Sequence, residues 1–433
     1  MNVLSEKNVF KKIKFVIVFL SILFVSYGLA AGLLKMASAN SDVYTGLSVF
    51  TSVMDRIQDD YVEVPDMEKV LKGAIQGMME AVDPYSSFVD GKTYEDVMSV
   101  NRDVGVGVAL AKRYGYIYVI SAENGSPAQE SGLRSGDLIE TIDGESAAMM
   151  SLWEAEKRML GPEGSSLEIR VIRTRRQEPL VLTIQRSSSA KNELAVRVLD
   201  GDLGLVSIPD FRPGSAEKMA AGIKKLVSSD VKGMIIDLRG AFSGDLDEAV
   251  KAADLLMEEG QKIVTIRVKD QEVETITATS GSLLPDIPLL LLVDAGTSGS
   301  AEVFVAALLD NDLAEVAGVK TEGKGSVQKK VTLESNGFLY LSHELLVRPS
   351  GNPIQNRNFR ESGIEPDQAA PGRDFISDYY LENTPEDEDT QLGVDFFRNL
   401  DKAVNEEQMR MAREIVRDLV NNSGKTKNLK KAA

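Results

Sequence analysis

Two glycine-rich segments of the sequence have spacings close to those of phosphate-binding loops. The run Gly105-Val106-Gly107-Val108 begins like a dinucleotide fingerprint, but Leu110 stands where the third glycine belongs. Residues 318–324 have the G-x-x-x-x-G-K spacing of a P-loop, but Gly325 replaces the serine or threonine that would bind magnesium. Neither segment therefore predicts a nucleotide site, and we expect no cofactor.

The scarcity of cysteine and histidine excludes several other kinds of site. The 433 residues contain no cysteine, which excludes disulfides, iron–sulfur clusters, thiolate zinc sites and cysteine nucleophiles. The one histidine, His343, rules out a multi-histidine metal centre, and we expect a packed or solvent-facing imidazole on a strand. We therefore expect no metal. The net charge of −17 at pH 7 also argues against a nucleic-acid partner.

A better interpretation of the first glycine segment is a loop that captures the carboxylate of a peptide. Successive N–H groups in such a turn hold a carboxylate, while an adjoining strand edge pairs with the peptide main chain. Downstream, G-S-P-A at 125–128, S-G-L at 131–133 and G-D-L-I at 136–139 follow in the order of PDZ domains. Residues 104–186 thus resemble a PDZ domain, which implies peptide binding by Gly105, Val106, Gly107 and Val108. The alternative is a small β-rich module without a ligand.

The regions that flank this module differ in pattern. Residues 43–103 carry apolar side chains at three- and four-residue spacing, which predicts helices. Between 203 and 367, apolar runs such as 234–238 and 288–293 alternate with helical stretches such as 301–310. That alternation predicts an α/β layer with parallel strands. An acidic linker at 386–389 then precedes an amphipathic helix predicted over 392–420 and a basic tail.

The order of motifs resembles that of the carboxyl-terminal processing proteases, the tail-specific Ser-Lys peptidases. The matching motifs are D-P-Y-S-S-F at 83–88, D-L-R at 237–239 followed by Gly244, G-K-G-S-V-Q at 323–328 and G-I-E-P-D at 363–367. The resemblance implies an α/β multidomain fold, with a PDZ domain (104–186) between an N-terminal helical segment (41–103) and an α/β peptidase core (187–370). Residues 371–433 are expected to form a linker, a C-terminal helix and a tail.

The resemblance also implies a serine-type endopeptidase in which Lys324 is the general base. A lysine accepts a proton from a serine when burial lowers its pKa, because desolvation disfavours the ammonium form. If the segment is extended, Lys324, Ser326 and Gln328 lie on one side, so that Gln328 can orient the lysine or the nucleophile. The family's oxyanion donors lie near the glycines after D-L-R, which points to Gly244 here.

The sequence departs from the family at the nucleophile. The family's serine lies three residues before a glutamate that begins a helix, and the aligned residue before Glu302 is Gly299. Three interpretations stay open. Either Ser298 or Ser300 is a displaced nucleophile, with Ser298 favoured because the turn before a helix is adaptable. Alternatively, the protein is an inactive relative that binds peptide tails, or a serine has been removed from it deliberately.

The N-terminus predicts the compartment. Four lysines between residues 7 and 14 precede an apolar run from Phe15 to about Leu34, which is long enough to cross a bilayer. We expect residues 1–40 to anchor the chain in the membrane, with the body on the periplasmic side. The A-S-A sequence at 37–39 leaves a cleaved, secreted form open. The expected substrates are extracytoplasmic proteins with apolar C-terminal tails, and a homo-oligomer is a further expectation.

Overall fold

The computed structural model describes residues 44–99, 104–123, 125–173, 178–187, 193–199, 202–269, 271–334, 337–356, 359–370 and 391–432. The predicted anchor and the acidic linker at 386–389 lie outside these residues. The chain forms two compact units, residues 1–74 and 75–433. Across the described ranges, no helix combines the length and the apolar character that a membrane crossing needs.

Apart from a short strand at 87–90, within the region predicted to be helical, the helices and strands follow the predicted order along the chain. The helices are α1 (44–60), α2 (Met67–Val82), α3 (Gly91–Met98), α4 (Pro127–Glu130), α5 (Leu152–Met159), α6 (Ser215–Ser228), α7 (Leu246–Asp254), α8 (Ser300–Asp310) and α9 (Gln391–Ala432). The strands are β1 (Ser87–Asp90), β2 (Val108–Arg113), β3 (Tyr116–Ala122), β4 (Leu138–Ile142), β5 (Glu145–Ser146), β6 (Ser166–Ile172), β7 (Leu180–Gln185), β8 (Ala195–Leu199), β9 (Leu203–Ser207), β10 (Gly233–Asp237), β11 (Lys262–Val268), β12 (Gln271–Thr277), β13 (Leu289–Val293), β14 (Glu315–Gly318), β15 (Ser326–Leu333), β16 (Gly337–Val347) and β17 (Gln368–Ala369).

The module predicted to be a PDZ domain is an antiparallel sheet in the order β2-β3-β4-β6-β7. Alternate residues of β6 are fully buried, which fixes the register of the sheet against its core. Asp143 and Gly144 both have positive φ between β4 and β5, as a two-residue hairpin turn requires. Strand β2 is an end strand of this sheet, and no strand in the described ranges pairs with its outer edge.

The α/β core is a second sheet in the order β17-β14-β13-β10-β9-β8, parallel except for β8. The three helices α6, α7 and α8 pack on one face, while Ala412 and Val416 of α9 pack on the other. Burial of both faces explains why β13 reads as five consecutive apolar residues. The predicted α/β layer is confirmed.

A third sheet, in the order β1-β16-β11-β12 with β15 on the other edge of β16, brings the motif segments together. Strand β1 pairs antiparallel with β16 inside the region whose periodicity predicted helices. Its partner lies about 250 residues downstream, so local periodicity does not reveal it. Trp153 of α5 stacks on Tyr340 of β16 with ring centroids 5.0 Å apart, which joins the antiparallel module to this sheet.

Replacing Phe304 with alanine should test the packing of the α/β core. Phe304 is fully buried on α8, 5.5 Å from Phe211 between ring centroids. We expect the free energy of unfolding to fall by about 3–5 kcal/mol, measured by chemical denaturation. Val273→Ala on the exposed strand β12 is the control and should change it by less than about 0.5 kcal/mol. Equal losses in the two variants would contradict this assignment of the core.

Candidate active site

One cleft contains all the catalytic and peptide-binding residues that the sequence predicted. It has a volume of about 930 Å³ and lies between the antiparallel module and the α/β core. The predicted residues in its lining are Gly105, Val106, Gly107, Val108, Gly244, Ser298, Gly299, Ser300, Lys324 and Gln328. Segments as far apart in sequence as Gly105 and Gln328 therefore meet at one surface.

Gly299 lies at the turn between β13 and α8, as the residue that caps the helix. Its φ of 65° and ψ of −120° fall in a region that favours glycine, and a Cβ placed there would meet nothing within 4 Å. A strained strand-to-helix turn is also how the nucleophile elbow of other hydrolases exposes a serine. Position 299 therefore has the backbone of a nucleophile turn, and its absent side chain would point into open space.

The two serines beside Gly299 differ in their hydrogen bonds. The Ser300 hydroxyl donates to the backbone oxygen of Gly244 at 2.9 Å. Ser298 is buried, its N–H donates to the oxygen of Ala241 at 3.0 Å, and its hydroxyl bonds to no residue in the described ranges. Of the two, Ser298 is the serine whose hydroxyl is uncommitted.

Gly244 sits where only a glycine fits. Its φ is 131°, and a Cβ would lie 2.5 Å from the backbone nitrogen of Phe211. While its carbonyl accepts from Ser300, its N–H donates to no group that the structure describes. An uncommitted backbone N–H at the cleft wall is the kind of donor that an oxyanion hole needs.

Lys324 is partly exposed, with 30% of its side chain accessible. Its amine lies 3.5 Å from the Glu156 carboxylate on α5 and 5.6 Å from the ring centroid of Tyr85. No serine among the described residues is within hydrogen-bond distance of this amine. The lysine is thus less buried than the expected general base, although catalytic hydrogen bonds are often long before substrate binds.

The amide of Gln328 is directed at serines and not at the lysine. Its Nε2 donates to the hydroxyl of Ser326 at 3.0 Å and to that of Ser342 at 3.3 Å. A register shift between Val327 and Gln328 interrupts the pairing of β15 with β16 at this point. Such bulges re-aim side chains. Ser326 and Gln328 do share a side of the strand, as predicted.

Glu302 joins the helix start to the lysine segment. This buried carboxylate accepts from the N–H groups of Gly299 (3.0 Å), Gly323 (2.7 Å) and Lys324 (2.9 Å) and from the Thr321 hydroxyl. Burial raises its pKa to about 7. The sequence analysis used Glu302 only to align the nucleophile. The available signal was its place in the first turn of a helix, where capping glutamates occur.

A second buried carboxylate, that of Asp294, holds the turn before α8. Asp294 accepts from the N–H groups of Gly240 at 2.9 Å and Gly296 at 3.0 Å, and burial raises its pKa. Thr297 donates its hydroxyl to the oxygen of Leu238. The D-L-R segment and the turn before α8 are therefore held together independently of any substrate.

The chain is similar to known proteases along most of its length. Residues 202–370 match peptidase family S41, residues 118–173 match a PDZ domain, and residues 29–93 match the N-terminal domain of the activating protease CtpB. The carboxy-terminal-processing protease of Bartonella bacilliformis is 31% identical over 350 residues, covering 78% of this chain and 79% of that protein. The carboxy-terminal processing protease CtpA of Bacillus subtilis is 26% identical over 398 residues, covering 88% and 84%.

A solved structure shares the fold. The photosystem II D1 C-terminal processing protease aligns with a TM-score of 0.60 at 22% identity, over 74% of this chain and 92% of that one. The predicted arrangement of an N-terminal helical domain, a PDZ domain and an α/β peptidase core is confirmed.

Replacing Glu302 with glutamine should change how stability depends on pH. The folded pKa of about 7 lies above the ordinary value of 4.5, so the stabilisation from this group is full at low pH and is lost as pH rises through 7. The stability of wild type relative to Glu302→Gln should therefore fall by about 2 kcal/mol between pH 5.5 and 8, measured by denaturation at each pH.

The exposed Glu259→Gln variant is the matched control. Its stability relative to wild type should stay nearly constant over the same range. A parallel pH dependence of the Glu302→Gln and wild-type proteins would contradict a raised pKa at Glu302.

Proposed function

Because the chain belongs to the carboxy-terminal processing proteases of peptidase family S41, we propose that it is a serine-type endopeptidase that recognises extracytoplasmic proteins by their apolar C-terminal tails. The supporting observation is the shared cleft, whose walls contain both the glycine loop of the PDZ domain and the lysine segment of the core. A tail held by the loop places the same polypeptide within reach of Lys324.

The loop of the PDZ domain suits a peptide carboxylate. Gly107 has a φ of 74° and a Cβ there would lie 2.4 Å from that of Ser126, so the loop needs a glycine at this point. Strand β2 begins at Val108, and its open edge can pair with the peptide main chain. Apolar side chains, including Leu110, Met159 and Leu160, line the adjoining wall and favour apolar tail residues.

In the proposed reaction, Ser298 is the nucleophile and Lys324 the base. The neutral amine takes the proton of the Ser298 hydroxyl as its oxygen attacks the scissile carbonyl carbon. The Gly244 N–H stabilises the negative oxygen, and the lysine then protonates the departing amine. Water hydrolyses the resulting ester and restores Ser298. The Lys324 amine must first separate from the Glu156 carboxylate. Gln328 contributes through its hydrogen bond to Ser326 at the edge of the site.

A second candidate function is tail binding without hydrolysis. The observation that favours it is Gly299, because the position aligned with the family's nucleophile carries no hydroxyl. The pairing of Lys324 with Glu156 agrees with this alternative. Both functions use the same cleft and the same peptide chemistry, so only a test of hydrolysis separates them.

The proposed location is the periplasmic side of a membrane, and its support is the apolar N-terminal run in the sequence. A cleaved form stays an alternative. A homo-oligomer is also proposed, because α1 exposes apolar side chains that include Leu47, Val49 and Val53.

Replacing Gly107 with alanine should weaken tail binding. The added Cβ requires a left-handed φ and collides with Ser126, which displaces the N–H groups that hold the carboxylate. We expect at least about ten-fold weaker binding of a fluorescent peptide with an apolar tail and a free carboxylate, measured by anisotropy. Gly164→Ala, which has a similar φ of 77° but open space, is the control. Equal affinities of the two variants would argue against this loop as the carboxylate site.

Digestion of an unstructured reporter with an apolar tail should identify the catalytic residues. We expect the full chain to cleave it, and Lys324→Ala and Ser298→Ala to lower the rate at least about 1,000-fold, because each removes a group that takes part in the bond changes. Ser300→Ala and the surface variant Lys320→Ala should retain activity.

Absence of cleavage by wild type, with tail binding intact, would instead establish the binding function. In that case, cleavage of the reporter by Gly299→Ser would test whether one hydroxyl is all that the site lacks. The strained backbone should cost that variant about 1–3 kcal/mol of stability, but a Cβ at this position meets no atom within 4 Å.

A further inference from the structure

The strand that follows Lys324 has an open edge. In the described ranges, β15 pairs with β16 on one side and no strand pairs with its other side. Five of its eight residues, 327 and 329–332, are exposed. An exposed strand of this length presents unpaired N–H and C=O groups to which another extended chain can add.

This edge runs into the cleft. Ser326, Val327 and Gln328 line it together with Lys324, two residues before the strand begins. Next to Val327 and Gln328 the partner strand β16 carries an extra residue, His343, and such a bulge increases the local twist of the strand pair where β15 enters the cleft. A chain that adds to β15 would therefore extend directly past the lysine.

Of the two lysines on β15, Lys329 is exposed, whereas Lys330 is drawn away from the edge. A lysine pointing along the edge discourages pairing, but the Lys330 amine is held over the rings of Tyr94 (3.9 Å) and Phe338 (4.1 Å) and donates to the Tyr94 hydroxyl. Val327 and Val331, each 37% exposed, leave apolar side chains along the strand.

We propose that β15 binds, as an added β-strand, the segment of the polypeptide that lies upstream of the tail held by the PDZ domain. The identity of the ligand rests on the proposed function. The period of two places Val327, Lys329 and Val331 on one face. The segment that fits carries two apolar side chains with an acidic one between them, in the same alternating register. The two open edges, β2 and β15, then hold two parts of one substrate.

The test uses a fluorescent peptide with an apolar tail preceded by such a segment, and the full chain in detergent. Each upstream residue in turn is N-methylated, which removes one backbone N–H. In a strand pair, only alternate residues bond to a given neighbour. Affinity should fall about five-fold or more at every second position and change little at the positions between.

Side-chain variants give an independent measurement. Val331→Asp should weaken binding about five-fold, because it replaces an apolar cross-strand contact with a charge that repels the acidic residue. Val273→Asp is the matched control, since Val273 is exposed on β12, at another edge of the same sheet, and does not line the cleft. It should bind as wild type.

Three results would overturn the proposal. They are uniform effects of N-methylation along the segment, equal effects of the two aspartate variants, or self-association of the chain that Val331→Asp abolishes. The last result would assign the edge to a second copy. The same scan on a peptide with an amidated tail separates the two proposals. If the amidated peptide binds as tightly as the free acid, the proposed recognition of the tail carboxylate is contradicted. A period-two pattern that persists in the amidated peptide would still support the proposal for β15.

Discussion

The geometry of the cleft depends on one buried carboxylate that accepts hydrogen bonds from two separate segments. Glu302 receives the N–H of Gly299 at the start of α8 and the N–H groups of Gly323 and Lys324. Burying the Glu302 carboxylate away from solvent is costly. Its donors, these three N–H groups and the Thr321 hydroxyl, offset that cost only while both segments stay in place. The separation of positions 299 and 324 is therefore set by Glu302 and not by whichever side chains occupy those positions.

The PDZ domain and the core are joined through the same region. Phe242, in the loop between β10 and α7, packs against the cluster formed by Ala109, Ala111 and Ile120 of strands β2 and β3. Glu156 of α5 contacts the Lys324 amine from the opposite wall. A peptide that adds to β2 thus touches a strand that already packs on the loop containing Gly244. The proposed peptide-binding strand and the loop of the proposed oxyanion donor therefore share contacts.

The sequence predicted those parts of the molecule whose signals are local. The apolar runs of β10 and β13 and the start of α8 were predicted to within a residue or two. The residues that motif order singled out line one cleft in the structure. The side-chain partners were beyond reach: Glu156 and Lys324 are 168 residues apart, and the pairing of β15 with β16 sets Gln328 opposite Ser342. Strand β1 was missed because the strand that pairs with it, β16, lies about 250 residues downstream.

The missing hydroxyl has a physical rationale in the backbone. A serine at position 299 would hold a φ of about 65° under strain, whereas glycine adopts it freely. Because Glu302 and Asp294 fix the turn by themselves, loss of the serine relieves strain without collapsing the cleft. Selection for binding alone would then keep the glycine, since it gains stability and loses no peptide contact. Selection for hydrolysis would keep the glycine only if another hydroxyl reaches Lys324. The uncommitted hydroxyl of Ser298, the residue next to Gly299, is the candidate.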